Sequence, residues 1–172
     1  MTELTLTLSP LSAEAFIPFG DVIELSENNK VIDINYGLTK RHHDLANVDV
    51  GDNDGKAIIS LFHSNPITLP FEVKIMERHP LGSQAFLPLQ DQKQGNAYVI
   101  IVAPAGEFEQ ANLQAFLAQP NQGVNYHKGT WHHYCLVLNQ TTTFAVIDRG
   151  GEGNNCDEVE INDGVTIRVI ES

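Results

Sequence analysis

Cysteine is scarce in this sequence, and long apolar runs are lacking. The 172 residues include two cysteines, Cys135 and Cys156, whose spacing forms no disulfide framework, so a reducing compartment fits best. No stretch approaches the run of about 18 apolar residues that a spanning helix needs. The N-terminus "MTELTLTLSP" lacks the basic flank and apolar run of a signal peptide. We therefore expect a cytoplasmic protein without a membrane segment, folded as a single domain over residues 1–172.

Positive charge is scarce as well. Ten lysines and arginines stand against 22 acidic residues, giving a formal net charge of −12. This balance argues against nucleic acid as a partner, because phosphate binding requires clustered basic residues. Three of the four arginines, Arg41, Arg78 and Arg149, lie beside His-, Glu- or Asp-containing motifs. They indicate either surface ion pairs or a pocket for an anionic ligand, since guanidinium binds carboxylate at two points.

Helical segments are few. Runs such as "DVIEL", "AYVIIVA" and "TTTFAVID" are β-branched or alternating and are bounded by turn residues, which is typical of strands. Two segments predict helices: "SAEAFIPF", capped by Ser12 and ended by Pro18, and "NLQAFLAQP", which runs from Asn112 to Pro120. Many short strands with close turn signals predict an all-β sandwich or barrel with a few short helices.

The segment "MERHPLGSQAFLPL" places polar groups on one side of a predicted strand. Alternation puts Glu77 and His79 on one face and Arg78 on the other, where a structural ion pair is expected. "PLGS" then predicts a turn, and a hairpin here would bring Gln84 back across from Glu77 and His79. A strand histidine taken alone is more often structural than functional.

The segment "NYHKGTWHH" contains three of the seven histidines. A turn at Gly129 followed by a strand through "WHHYCLVL" puts His132 and Tyr134 on the face toward a pocket. His133 then points the other way and supports packing. His127 precedes the turn, and a substrate contact at the pocket mouth is expected for it.

The joint spacing of the two segments matches the two-motif layout of cupin barrels. E-x-H-x(4)-Q begins at Glu77, and G-x-x-H follows at Gly129 about fifty residues later. Cupins use H-x-H-x(4)-E and P-x-G-x-x-H, so Glu77, Gln84 and His127 replace the usual His, Glu and Pro. The spacing therefore leaves two interpretations open. The side chains form either a metal-binding site or a metal-free acid–base pocket, made in both cases by Glu77, His79, Gln84 and His132.

Longer blocks carry a more specific resemblance. "ERHPLGSQAFLPL", "GVNYHKGTWHH", "IDRGG…NCDE" and "INYGLTKRHHDLA" resemble the ureidoglycolate lyase family, over roughly residues 34 to 157. The resemblance implies a cupin-like double-stranded β-barrel (jelly roll), a homodimer, nickel as a divalent cofactor, and release of urea and glyoxylate from (S)-ureidoglycolate. Lys128 stands where the family commonly has Arg, and His42 and His63 fall outside the motif positions.

The implied reaction assigns roles to the candidate residues. Elimination from the hemiaminal carbon needs a base for the hydroxyl proton, an acid for the departing nitrogen and a cationic contact for the carboxylate. Glu77, His79, Gln84 and His132 supply the metal shell or the acid–base pair. For the carboxylate we expect Arg41, with Arg149 or Lys128 as alternatives. The remaining predicted substrate contacts are Asn35, His43, Tyr126, His127 and Tyr134.

Two other functions stay open at this point. One is a cupin metalloenzyme of another type, a dioxygenase or isomerase. Gln84 in place of Glu and Glu77 in place of His argue against iron–oxygen chemistry. The other is a non-catalytic cupin that binds a small acid.

Overall fold

In the computed structural model, which describes residues 2–91, 93–161 and 165–171, strands dominate. One α-helix, α1 (Ala13–Phe16), and three 3₁₀ turns (Asn35–Gly37, Asp52–Asp54 and Gln110–Asn112) lie within these ranges. No helix in the described part of the chain has the length and apolar character that crossing a membrane requires. The strands are β1 (Thr2–Thr7), β2 (Ser9–Pro10), β3 (Gly20–Ile23), β4 (Val31–Ile34), β5 (Thr39–His42), β6 (Lys56–Ser64), β7 (Pro66–Ile67), β8 (Phe71–Val73), β9 (Ile75–Arg78), β10 (Gln84–Pro88), β11 (Tyr98–Ala103), β12 (Gln114–Ala118), β13 (Gly123–Tyr126), β14 (Trp131–His132), β15 (Leu136–Leu138), β16 (Thr142–Gly150), β17 (Asp157–Glu160) and β18 (Val165–Ile170).

Two large sheets form the body of the fold. One has the order β3-β13-β10-β16-β6, and the other has the order β17-β9-β14-β11-β12-β2. Buried aromatic residues from both sheets, such as Phe86 and Phe144 from the first and Tyr98 and Phe116 from the second, share one core. The predicted all-β class is confirmed, and the two-sheet arrangement is cupin-like.

Strand alternation explains how the core is built. Along β16, Phe144 and Val146 point into the protein while their neighbours are only partly buried. Burying such side chains contributes roughly 1.5–3 kcal/mol each. Asp148 continues the same face, because side chains two residues apart share one side of a strand.

One of the two predicted helices is confirmed and the other is wrong. In α1 the Ser12 hydroxyl accepts a hydrogen bond from the amide of Ala15 at 3.2 Å, as a helix cap should. In the segment predicted as the second helix, a 3₁₀ turn covers Gln110–Asn112 and the following residues form strand β12. β12 pairs with the fully buried β11 on one side and with β2 on the other. Pairing with these strands outweighs the helix propensity of a short apolar run.

The turn between β9 and β10 carries the chain from one sheet to the other. β9 pairs with β14 and β17, whereas β10 pairs with β13 and β16. The predicted hairpin of β9 with β10 is therefore wrong. Gln84 starts β10 on the first sheet, while Glu77 lies on the second.

The predicted turn at Gly129 is present and links the two motifs. Gly129 has a φ of 79°, and its amide donates to the His79 carbonyl oxygen at 2.9 Å. The strand after it is shorter than predicted, because β14 ends at His132 and β15 begins at Leu136. Tyr134 lies in the gap with 52% of its surface exposed, so its predicted place beside His132 on one strand face is wrong.

Candidate active site

Three predicted site residues meet where β9 and β14 pair. Glu77 lies directly opposite His132 in the ladder, and His79 follows the end of β9. One carboxylate or imidazole ligand atom from each residue lies within 4.8 Å of those of the other two. The two imidazole rings are 5.1 Å apart between centroids. A carboxylate and two imidazoles therefore converge on one point.

The hydrogen bonds of the two histidines fix which ring nitrogen faces that point. His79 Nδ1 is 2.6 Å from the Asn155 carbonyl oxygen, and His132 Nδ1 is 3.0 Å from the Thr130 carbonyl oxygen. Because a carbonyl oxygen only accepts, each Nδ1 must carry a proton. In the neutral rings each Nε2 is then a free lone pair, and both Nε2 atoms are buried without a hydrogen-bond partner among the described residues. Metal-binding histidines commonly have this arrangement.

The charge of Glu77 completes the group. When His132 Nε2 carries a proton, its hydrogen bond lowers the pKa of Glu77 below the ordinary 4.5, against partial burial, which raises it. Glu77 is therefore ionised near neutral pH. One of its oxygens is 3.5 Å from His132 Nε2. A carboxylate oxygen facing a nitrogen lone pair is repulsive, so the pair requires a proton or a cation between them.

The donor set fits a divalent metal ion. Two imidazole nitrogens and one carboxylate oxygen suit nickel, manganese, iron or zinc. Glu77, His79 and His132 are the residues that would hold the ion. These three residues are three of the four metal ligands predicted from the sequence.

The fourth predicted ligand, Gln84, lies beside this group on the facing sheet. Gln84 is opposite Tyr126 in the ladder of β10 and β13. The Tyr126 ring stacks on the His132 ring at 4.3 Å with an interplanar angle of 9°. Burial raises the pKa of Tyr126 well above its ordinary value, so the phenol keeps its proton.

Sequence reasoning missed three acidic or thiol groups next to these residues. Asp148 Oδ2 accepts a hydrogen bond from Gln84 Nε2 at 3.3 Å. Glu158 lies opposite Glu77 in the ladder of β9 and β17, and Cys156 and Glu158 each offer an atom within 4.8 Å of Glu77 and of each other. Burial, with the neighbouring carboxylates, raises the pKa of the Cys156 thiol. Two signals were available: the alternation of "TTTFAVID" puts Asp148 on the buried face of β16, and the family-like block "IDRGG…NCDE" contains all three residues.

Comparison with known proteins identifies the family. The family model described as ureidoglycolate lyase matches residues 3–168. A ureidoglycolate lyase of Burkholderia mallei is 51% identical over 154 residues, covering 90% of this chain and 88% of that protein. The ureidoglycolate lyase of Pseudomonas syringae pv. tomato is 49% identical over 155 residues, covering 90% and 88%. This chain belongs to the ureidoglycolate lyase family.

The cations that the family resemblance suggested for the carboxylate hold other groups. Lys128 Nζ is 3.1 Å from Asp49 and 2.9 Å from Asp52, and these carboxylates raise the pKa of the lysine. Arg149 is buried and lies on the face of β16 opposite to Asp148. Its Nε and Nη2 donate to the backbone carbonyl oxygens of Asp52, Asn53 and Glu152, while Nη1 has no partner among the described residues. These contacts hold residues 49–54, and the contact of either cation with the substrate carboxylate stays a prediction.

Arg41 and Asn35 lie in a separate hairpin. β4 and β5 form a two-stranded sheet of their own, and Arg41 is exposed on β5. Asn35 sits in the connecting turn with a φ of 52°, and its side-chain amide donates to the Thr39 hydroxyl at 3.2 Å. Among the described residues Arg41 has no ion-pair partner, so its guanidinium can meet an anion from solvent or from another chain.

His43 and His127 lie near one aspartate on the outer side of the first sheet. His127 Nε2 is 3.0 Å from an oxygen of Asp21, which also accepts a hydrogen bond from Asn125. His43 lines a surface cavity that Asp21 and Asp44 also line. The structure thus gives His127 an acidic partner at the surface.

The structure confirms the packing role predicted for His133 and the ion pair predicted for Arg78. His133 is buried against Phe71, and burial lowers its pKa to about 4, so the ring is neutral. Arg78 Nε donates to Asp157 at 2.9 Å, and its guanidinium lies over the Trp131 ring at 4.6 Å. Arg78 lies on the strand face opposite to Glu77 and His79, as alternation predicted.

Proposed function

We propose that this protein cleaves (S)-ureidoglycolate to glyoxylate and urea, using a divalent metal held by Glu77, His79 and His132. The observation that carries the proposal is the convergence of two free imidazole Nε2 atoms and an ionised carboxylate. Membership in the ureidoglycolate lyase family supports ureidoglycolate as the substrate. The resemblance that suggested the substrate also suggests nickel, which accepts this donor set.

The chemistry follows from the hemiaminal carbon of the substrate. The hydroxyl loses its proton, a C=O bond forms, and the C–N bond breaks with its electron pair going to the urea nitrogen, which takes up a proton. Glu77 is ionised near neutral pH, so its carboxylate can accept the hydroxyl proton. When bound, a divalent metal would lower the pKa of a coordinated hydroxyl group. Tyr126 keeps its proton and supports the His132 ring from one side.

A coupled assay tests the reaction. We expect purified protein to form glyoxylate and urea in equal amounts from racemic ureidoglycolate, with one enantiomer consumed. Ammonia and carbon dioxide in place of urea would make the enzyme a hydrolase. Iron at one ion per chain in unsupplemented protein would favour an oxidative cupin instead. The three residues that the structure brings together, two histidines and one carboxylate, suit iron oxygenases better than the four-residue set expected from the sequence.

A homodimer is the second part of the proposal, and strand β6 supports it. β6 is the edge of its sheet, pairing with β16 on one side. Ile59 and Leu61, two residues apart on one face of β6, are 76% and 68% exposed. An apolar edge strand of nine residues is a template for pairing with another chain, and antiparallel pairing of two copies gives two-fold symmetry.

Arg41, exposed on its own hairpin, stays our proposed contact for the substrate carboxylate.

Charge placed on this edge is expected to separate the subunits. We expect the double variant Ile59→Lys/Leu61→Lys to elute as a monomer, measured by light scattering coupled to gel filtration, while wild type elutes as a dimer. Ile17→Lys is the matched control, since Ile17 is 68% exposed outside the sheets. An unchanged dimer in the double variant would place the interface elsewhere.

The cytoplasm is the proposed location. Both cysteines are free in the structure, and Cys156 is exposed. Burial raises the pKa of Cys135 to about 12, which keeps that thiol protonated. Free thiols persist in a reducing compartment.

A further inference from the structure

Two buried oxygen atoms beside the Glu77–His79–His132 group have no donor. Gln84 is 5% exposed, and its Nε2 donates to Asp148 Oδ2 at 3.3 Å. The other oxygen of each side chain, Gln84 Oε1 and Asp148 Oδ1, is buried without a hydrogen-bond partner among the described residues. A buried acceptor without a donor is unfavourable, so such a pair indicates a place that a donor occupies in the working protein.

Asp148 determines which end of the Gln84 amide points away from it. An ionised carboxylate only accepts hydrogen bonds, so the NH₂ end of the amide must face Asp148. The reverse orientation would set a carbonyl oxygen against a carboxylate oxygen. Gln84 Oε1 is thereby directed away from Asp148 as an acceptor. An asparagine at position 148 would remove this constraint, because two amides can pair in either orientation.

The substrate offers matching donors in one group only. Its carboxylate accepts, and its hydroxyl has a single proton, which the reaction removes. The ureido group carries an N–H and an NH₂, so it can satisfy two acceptor oxygens at once. Tyr126 links these acceptors to the metal-binding group, because it lies opposite Gln84 in the ladder and its ring stacks on His132.

We propose that Gln84 and Asp148 form the site that recognises the ureido group, with Asp148 acting as a positioning residue for the Gln84 amide. The inference rests on the proposed function for its substrate. It assigns Gln84 to recognition of the ureido group and leaves the metal to Glu77, His79 and His132.

The test compares two small ligands that each carry part of the substrate. N-carbamoylglycine has the ureido group and the carboxylate, and glycolate has the hydroxyl and the carboxylate. We expect calorimetry on metal-loaded protein to show that Asp148→Asn lowers the affinity for N-carbamoylglycine about tenfold, as loss of a charged hydrogen-bond partner should. The affinity for glycolate should stay unchanged. In turnover, KM should rise about tenfold with kcat changed much less. Metal content should stay at the wild-type value.

A second variant and a control keep the result interpretable. Gln84→Met, which removes the amide at similar length, should show the same selective loss if Asp148→Asn fails to fold. Asp157→Asn is the matched control, because it removes another strand carboxylate that accepts a hydrogen bond from a side-chain N–H. We expect it to leave the affinity for both ligands unchanged. Equal weakening of both ligands, or none, overturns the proposal, and so does loss of metal from Gln84→Met. Wild type that binds N-carbamoylglycine but does not turn over ureidoglycolate would instead overturn the proposed function alone.

Discussion

Replacing His132 with alanine is expected to lower kcat/KM for ureidoglycolate by about 10²–10³-fold and to lower bound metal well below one ion per chain. His132 offers a buried Nε2 lone pair to the ion, and the residue is 1% exposed, with its ring stacked on Tyr126. Loss of one of three protein ligands removes most of the several kcal/mol of transition-state stabilisation that a metal supplies. Turnover and elemental analysis on the same preparation measure both effects.

His133→Ala is the matched control for that variant. His133 is the next residue, is buried to a similar degree and packs against Phe71 outside the ligand group. Both variants leave a cavity of similar size, so both should lose about 2–4 kcal/mol of unfolding free energy. Only His132→Ala should lose metal and activity. Retention of wild-type turnover by a folded His132→Ala protein would refute the assignment of the site.

Replacing Glu77 with glutamine is expected to lower kcat by about 10²–10⁴-fold, measured at saturating substrate and metal. Glutamine keeps the size of the side chain but removes the proton acceptor and the negative charge. Because the contact with His132 lowers the pKa of Glu77, the wild-type group is ionised near neutral pH, and raising the pH cannot restore the variant. We expect the kcat of the variant to be lower than that of wild type by a similar factor at every pH, without a shift of the pH profile.

Glu77→Asp separates charge from position. It keeps the carboxylate but withdraws it by one methylene, so we expect activity between wild type and Glu77→Gln. Metal content is measured on the same preparations, because Glu77 is also one of the three proposed ligands. Equal activity of the Gln variant and wild type would exclude Glu77 as the proton acceptor. Glu158, which faces Glu77 across the ladder, would then be the next carboxylate to replace.

The parts of the site that follow from short-range patterns were predictable. Alternation put Glu77 and His79 on one face, and the resemblance to the two-motif layout of cupin barrels placed His132 with them. The structure brings these three residues to one point. The same alternation predicted the outward ion pair of Arg78. The faces of Glu77, Arg78 and His79 need only the two-residue period of a strand, whereas the meeting of the two segments needed the resemblance to cupin barrels.

The parts that depend on long-range pairing were not predictable. Asp148 meets Gln84 only because β16 pairs with β10, and Glu158 meets Glu77 only because β17 pairs with β9. The 112–120 segment was mispredicted as helix for the same reason, since its strand depends on β11 beside it. Tyr134 was misplaced because nothing in "WHHYCLVL" marks the break after His132.

Activity before and after metal removal tests the central claim most directly. Purified protein would be assayed for glyoxylate and urea as isolated, after chelation with metal content verified, and after reloading with nickel or manganese. We expect equal amounts of the two products from the loaded protein, loss of turnover with the metal, and recovery in proportion to the ion bound, up to one per chain. Full turnover by verified metal-free protein would contradict the metal centre at Glu77, His79 and His132.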